Sequence, residues 1–206
     1  MIIKIGKNTK IAAILGKEIL MNGRIIIYPT ETSYGLGCKA TSKKALKRIF
    51  EIKKRGIGKK LPVIISGEKM AADFFILNAD AKKLIARFMP GPLTLIAKAK
   101  KRMPKEIGLN KVAFRISSNK FACGLSEAIN CPLVSTSTNI SGEKNIYKEK
   151  ELLDFEHCVD LIFSAGNLKP RKPSTIYDLT ENKIAREGEI KKEMIEKTIN
   201  KKINHN

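Results

Sequence analysis

Thr30, Glu31, Thr32 and Ser33 follow an apolar run and Pro29, and Gly35 and Gly37 come soon after. A plain turn needs only a glycine or a Pro-Asp pair. Three hydroxyls and a carboxylate at the carboxyl end of a strand point instead to a binding site. Five further stretches carry the same signal. They are Lys53-x-Arg55 at a helix end, Arg115 inside the apolar run Val112–Ile116, Ser135 to Asn139 after Leu133-Val134, Ser174-Thr175, and Arg186 followed by Gly188.

Each stretch has an ordinary reading when taken alone. Thr32 can satisfy a backbone group, Lys53 and Arg55 can be solvated, and Ser137 to Asn139 can form a cap or turn. Arg115 resists that treatment, because a guanidinium in a buried strand needs an anionic partner or full hydrogen bonding. Three arginines, one lysine and several hydroxyls at element ends together describe a pocket for phosphates plus a small carboxylate.

Other chemistries fall away on their residue types. Gly35-Leu36-Gly37 lacks the third glycine of a dinucleotide fingerprint. Gly56-Ile57-Gly58-Lys59 follows a helix and lacks the Ser or Thr of a P-loop. His157 is the only histidine outside the C-terminal tail, where His205 lies, so no Ser-His-Asp triad can be assembled. His157 beside Cys158 does not make a zinc site. Cys38, Cys123, Cys131 and Cys158 are widely spaced with no CxxC pair, as expected in a reducing compartment.

Alternating elements must position these groups. Thr9 is placed to cap a helix with Ile11, Ile14, Leu15 and Ile19 on its apolar face, ended by Asn22-Gly23. Arg24–Tyr28 reads as a buried strand, and Thr41 or Ser42 starts a helix that buries Ala45, Leu46, Ile49 and Phe50. Leu61–Ile65 is a strand, and Asp80 caps a helix through Leu84, Ile85 and Phe88 that Pro90-Gly91-Pro92 stops. Strands at 93–98 and 111–116, a helix near 121–129 and a strand at 133–135 follow. The stretch 139–150 is loop-like. Three strands (159–163, 175–179, 183–186) and a closing helix (190–201) complete the pattern. Interleaved strands and helices predict an α/β fold with one twisted, mixed sheet. The length of 206 residues fits one domain, 1–206.

Forty basic against twenty acidic residues give a net charge of +20, spread along the chain rather than gathered in a tail. That balance fits a phosphate-rich partner, nucleotide or RNA, and equally fits a solvated lysine-rich surface. The N-terminus lacks the apolar core of a signal peptide, and no apolar run is long enough to span a membrane. A cytoplasmic location with no membrane contact is expected.

The stretches "YPTETSYGLG", "KKR", "PGPLTLI", "VAFRI", "PLVSTSTNISG", "STIYDLT" and "REGEI" occur in the order seen in YrdC-like threonylcarbamoyl-AMP synthases. The chain resembles that family over roughly residues 9–190. The resemblance implies an open, twisted α/β sheet with flanking helices and a large, positively charged concave cavity. It implies a reaction of L-threonine, bicarbonate and ATP that yields threonylcarbamoyl-adenylate and pyrophosphate. Mg²⁺ would arrive with ATP, and no metal ligand would come from the protein. The product would pass to a transferase complex that modifies adenosine beside the tRNA anticodon.

Carried over from the family, Thr32 would hydrogen-bond threonine and Arg115 would pair with its carboxylate, with Ser135 and Ser174 lining the same pocket. Lys53 and Arg55 would hold the triphosphate, Ser137 and Asn139 would grip phosphate or ribose, and Arg186 would close on the nucleotide. Lys59 and Asn145 lie where relatives touch ATP. The chain departs from the family pattern at Thr138, where alanine is usual, at Gly56 in place of proline, and at Met89 in place of tryptophan. It also lacks the histidine many relatives carry near Ile64, and its end at Asn206 implies the form without an extra C-terminal domain. The rival readings are a non-catalytic basic RNA-binding module and carbamoyl transfer to a different acceptor. Few aromatics and no RNA-type aromatic motif weigh against the first. The lack of a companion domain weighs against the second.

Overall fold

The computed structural model describes residues 1–6, 9–56 and 59–204; Ile57, Gly58, His205 and Asn206, named above, lie outside them. In chain order the elements are β1 (Ile2–Lys4), α1 (Thr9–Met21), β2 (Ile26–Pro29), β3 (Tyr34–Gly37), α2 (Lys43–Ile52), β4 (Val63–Ile65), α3 (Glu68–Phe74) and α4 (Ala79–Phe88). Then come β5 (Leu93–Lys98), β6 (Lys111–Ile116), α5 (Lys120–Ala128), β7 (Leu133–Val134), β8 (Thr136–Ser137), a 3-10 segment (Glu149–Phe155), β9 (Leu161–Ser164), β10 (Thr175–Asp178), β11 (Lys183–Arg186) and α6 (Lys192–Ile199).

The strands form two mixed sheets, not the single sheet expected. One has the order β1-β9-β2-β3-β8 and the other β11-β10-β5-β6-β4-β7. The division arises in two places. Residues 34–37 form a strand that returns antiparallel to β2, with Tyr28 opposite Gly35. The short run after Cys131 then splits, so that β7 pairs β4 in one sheet and β8 pairs β3 in the other. Ser135 is the single residue between them.

Helix α1 shows why apolar spacing located a helix but only half of its buried face, since Leu15 and Ile19 pack partly buried against the core and Ile11 and Ile14 do not. Ala12, Gly16 and Leu20 are buried, whereas Ile11 is 58% and Ile14 68% exposed. Close approach decides it. A Cβ at Gly16 would lie 2.4 Å from Leu125 Cδ2 and 3.3 Å from Phe163 Cζ, so α1 meets α5 along its small residues. Thr9 opens the helix by donating to the Gly6 carbonyl (2.9 Å).

Elsewhere the local chemistry reads more directly. Ser42 caps α2 by accepting from the Ala45 amide, and Ala45, Leu46, Ile49 and Phe50 are all buried. The cap of α4 is Asn78, which accepts from the Ala81 amide at 2.8 Å, and Asp80 sits in the first turn, where a carboxylate suits the helix dipole. Strands β5, β6 and β11 have the predicted bounds.

Candidate active site

A cleft of about 630 Å³ opens between the ends of the two sheets. Of the residues singled out in the sequence, Thr32, Arg55, Lys59, Arg115, Ser135, Ser137, Asn145, Ser174 and Arg186 line it. Lys53 and Asn139 do not. Thr30, Ser33 and Thr136, from the polar stretches named above but given no individual role there, line it too, as do Lys60 and Thr94.

The hairpin between β2 and β3 explains the polar run that follows Pro29. The Thr30 hydroxyl donates to the Ser33 carbonyl (2.7 Å) and accepts from the Thr32 and Ser33 amides (3.2 and 3.3 Å). Thr30 therefore builds the turn and presents Thr32, whose hydroxyl lies 3.1 Å from its own. Behind the turn, the buried Tyr28 hydroxyl donates to the Val134 carbonyl (2.9 Å), and burial pushes its phenol well above the ordinary range. Gly37 makes this approach possible. A Cβ there would lie 2.3 Å from the Val134 carbonyl oxygen and 2.7 Å from the Tyr28 ring.

The second wall comes from the six-stranded sheet. Arg115 on β6 faces Ile64 on β4 in register, and its guanidinium lies 3.3 Å from a Glu31 carboxylate oxygen. Both side chains are almost wholly buried. Ser174, just before β10, shares a hydrogen bond with the Thr94 hydroxyl of β5 (2.9 Å). Arg186 donates to the Ser174 carbonyl through Nε (3.1 Å) and Nη2 (2.8 Å), and to its hydroxyl (3.0 Å). Burial of the guanidinium, then the nearby Arg115, draws Arg186 below its ordinary pKa. Two like charges thus share one stretch of the lining.

Lys53 is placed differently from the expectation that it lies in the site. It is only 2% exposed and sits beneath the segment 137–139. Its ammonium donates to the Ser137 carbonyl (2.7 Å), the Asn139 carbonyl (2.9 Å) and Asn139 Oδ1 (3.0 Å). An ammonium has three protons, so none remains for a phosphate. Asn139 is occupied too. Its Oδ1 also accepts from the Ser137 hydroxyl (2.6 Å), and its Nδ2 donates to the Glu143 carbonyl (2.7 Å). Burial first, and Arg55 second, push Lys53 down to about 8. Lysine and asparagine hold the segment in shape while Ser137 faces the cleft.

Arg55 folds back on its own loop, donating to the carbonyls of Lys59 and Lys60, with its guanidinium 5.9 Å from the centre of the Phe50 ring. Thr138, where alanine is usual, is fully buried, and its hydroxyl has no partner among the described residues. Lys60 and Thr94 line the cleft outside the stretches singled out in the sequence. Thr94 carried the same signal as Arg115, a polar side chain in an otherwise apolar strand.

The geometry gives one cleft two ends, hydroxyls with the paired Arg115 at one and Arg55, Lys59 and Lys60, without a carboxylate partner among the described residues, at the other, with Arg186 on Ser174 beside Arg115. The Sua5/YciO/YrdC family model, described as telomere recombination, matches residues 18–188. The chain belongs to this family. A relative from Methanocaldococcus jannaschii, provisionally named threonylcarbamoyl-AMP synthase, is 36% identical over 88% of this chain and 87% of its own. The threonylcarbamoyl-AMP synthase of Pyrococcus abyssi is 35% identical over 87% of this chain, and the match spans 55% of that protein. The crystal structure of P. abyssi Sua5 complexed with L-threonine superposes with a TM-score of 0.91 at 31% identity, covering all of this chain and 62% of that one. Escherichia coli YciO superposes at 0.80 and 30% identity over 91% and 94% of the two chains. The chain therefore spans a little over half the length of the Pyrococcus relative and most of the other two. In the Sua5/YciO/YrdC fold seen here, no described helix is long and apolar enough to cross a membrane.

Proposed function

We propose that this cleft makes threonylcarbamoyl-adenylate from L-threonine, bicarbonate and ATP, with release of pyrophosphate. One observation carries the reading: the hydroxyl-lined end with Arg115 and Arg186 and the end lined by Arg55, Lys59 and Lys60 belong to the same cleft. The names of the two synthase relatives and the threonine complex of P. abyssi Sua5 support it.

In this reading Thr32, Ser135 and Ser174 hydrogen-bond the amino acid, and Arg115 takes its carboxylate. The threonine nitrogen bonds to the carbon derived from bicarbonate, and water leaves. A carbamate oxygen then attacks the α-phosphorus, the bond to the bridging oxygen breaks, and pyrophosphate departs. No protein nucleophile is needed. Positioning and neutralisation of charge by Arg55, Lys59 and Arg186 supply the catalysis, with Ser137 and Asn145 orienting the nucleotide. Among the described residues no His, Cys, Asp or Glu cluster is arranged to hold a metal ion. In this reading Mg²⁺ enters as part of the ATP substrate, on the phosphates and its own waters. The product then serves tRNA threonylcarbamoylation in the cytoplasm through a partner transferase.

Pyrophosphate release, measured with each substrate omitted in turn, tests this. Release is expected only when threonine, bicarbonate and ATP are all present. Equal release without threonine, or none under any condition, overturns the reading.

A further inference from the structure

Glu31 has no role in the proposed chemistry, yet it is the only carboxylate ion-paired to a cation of the cleft lining among the described residues. Its side chain is 6% exposed and its Oε1 lies 3.3 Å from Arg115 Nη1. That oxygen has no hydrogen bond, and the other accepts from the Ser117 hydroxyl. Ser117 Oγ in turn accepts from the Asn119 amide (3.1 Å), and Asn119 caps α5. Glu31 is thus strapped behind Arg115 by the start of a helix. It is not itself part of the cleft lining, which passes from Thr30 to Thr32.

The other four cations of the lining stand differently. Arg55, Lys59, Lys60 and Arg186 have no carboxylate within ion-pair distance among the described residues, and Arg55 and Arg186 rest on carbonyl and hydroxyl oxygens. The charge along the cleft is therefore uneven: beside Ser174 the Arg115 charge is neutralised and Arg186 alone is not, whereas Arg55, Lys59 and Lys60 are all uncompensated among the described residues. A phosphate dianion is attracted in proportion to net local charge, and in a partly desolvated cleft that preference is large. A zwitterionic amino acid carries no net charge, and its carboxylate needs a hydrogen-bonding fork more than a field.

We propose that Glu31 is a specificity residue that keeps phosphate out of the amino-acid end of the cleft. By cancelling the charge of Arg115 and holding its fork in place, it leaves that end fit for a carboxylate and sends polyanions to the uncompensated end. A site that must hold threonine and a triphosphate side by side needs this sorting, because a bare arginine at the threonine end would trap the more highly charged ligand. The inference rests on the threonine and ATP reading above.

Inorganic phosphate is the probe. In the wild-type protein, phosphate is expected to compete with ATP and to leave the KM for threonine unchanged. In Glu31→Gln, the end of the cleft at Arg115 gains a second uncompensated cation beside Arg186. Phosphate should then compete with threonine as well, with an inhibition constant at least about tenfold lower than any such effect in the wild type. Ser117→Ala loosens the strap but keeps the charge, so it should raise the KM for threonine severalfold without phosphate competition. Glu31→Asp, which retains charge at a shorter reach, should behave like Ser117→Ala. The same contrast can be read without turnover. Phosphate should raise the melting temperature of Glu31→Gln, and threonine should reverse part of that rise. An inhibition pattern and a melt in Glu31→Gln indistinguishable from wild type overturn the proposal. So does phosphate competition with threonine in the Ser117→Ala variant. A wild-type protein that releases no pyrophosphate overturns the parent reading instead, and the phosphate melts still test Glu31 alone.

Discussion

Replacing Lys53 with methionine removes a buried charge and keeps most of the side-chain volume. Three acceptors, two carbonyls and Asn139 Oδ1, lose a charged donor at 2.7 to 3.0 Å. At about 1.5–3 kcal/mol for a hydrogen bond to a charged group, the gross loss is roughly 5–9 kcal/mol. Relief of the ammonium's desolvation returns part of it, since burial has drawn the pKa from 10.5 to about 8. A net destabilisation of about 2–4 kcal/mol is expected at pH 7, near the upper end for single substitutions. The sign with pH separates this lysine from an ordinary one. Its folded pKa is below its unfolded value, so between about pH 8 and 10.5 the unfolded chain binds more protons and stability from this group rises with pH. Nucleotide affinity should fall over the same range, because the neutral amine has two protons for three acceptors and the 137–139 segment loosens. Urea denaturation and titration with a non-hydrolysable ATP analogue, each at pH 7 and 10, read both quantities. The difference in stability between wild type and Lys53→Met should change with pH, and the variant should bind the analogue about ten- to a hundredfold more weakly at pH 7, roughly 1.4–2.7 kcal/mol. A pH-independent difference, together with unaltered analogue binding, would refute the reasoning.

Two further substitutions test the packing around the cleft. Thr138→Val removes a buried hydroxyl that has no partner and keeps the shape. A gain of about 1–2 kcal/mol is expected, and with it roughly 2–8 °C in Tm by calorimetry; an unchanged or lower Tm would show that the hydroxyl is satisfied by water. Gly37→Ala drives a methyl to 2.3 Å from the Val134 carbonyl oxygen and breaks the contact with Tyr28, so a loss of about 2–4 kcal/mol in urea unfolding is expected, and a neutral result would contradict the close approach.

The types of element were legible because each had a strong local cause. The strand 111–116 alternates toward a core, and Ser42 with Ala45, Leu46, Ile49 and Phe50 makes an unambiguous capped helix. Where tertiary contact overrides a local pattern, the sequence misleads. Glycines 35 and 37 lie in a strand that no local pattern marks, and at Gly37 the Val134 carbonyl and the Tyr28 ring occupy the space a side chain would take. Helix α1 buries its smallest residues for a related reason. In the candidate site, unusual residue types in apolar surroundings flagged Arg115 correctly for the cleft lining. Lys53 carried the same chemical label as Arg55 and Lys59, and only the fold reveals that its charge is spent within the protein. Glu31 stood in the most conspicuous polar run of the chain, but its partner lies 84 residues away in sequence, and no local pattern announces a pair so distant.

Ser135 is the one residue at which the chain leaves the six-stranded sheet and joins the five-stranded one, and its amide is fastened to the Pro62 carbonyl at 2.9 Å. It also lines the cleft. A ligand resting against it therefore touches the one stitch that joins β7 to β8, and its binding energy is shared by both halves of the fold. Hydrogen exchange in the presence of threonine should accordingly slow at β2 and β3 as well as at β4 and β6, although these strands belong to different sheets. The molecule turns a short peptide crossing into a thermodynamic link, so that filling the cleft stiffens both of its walls together.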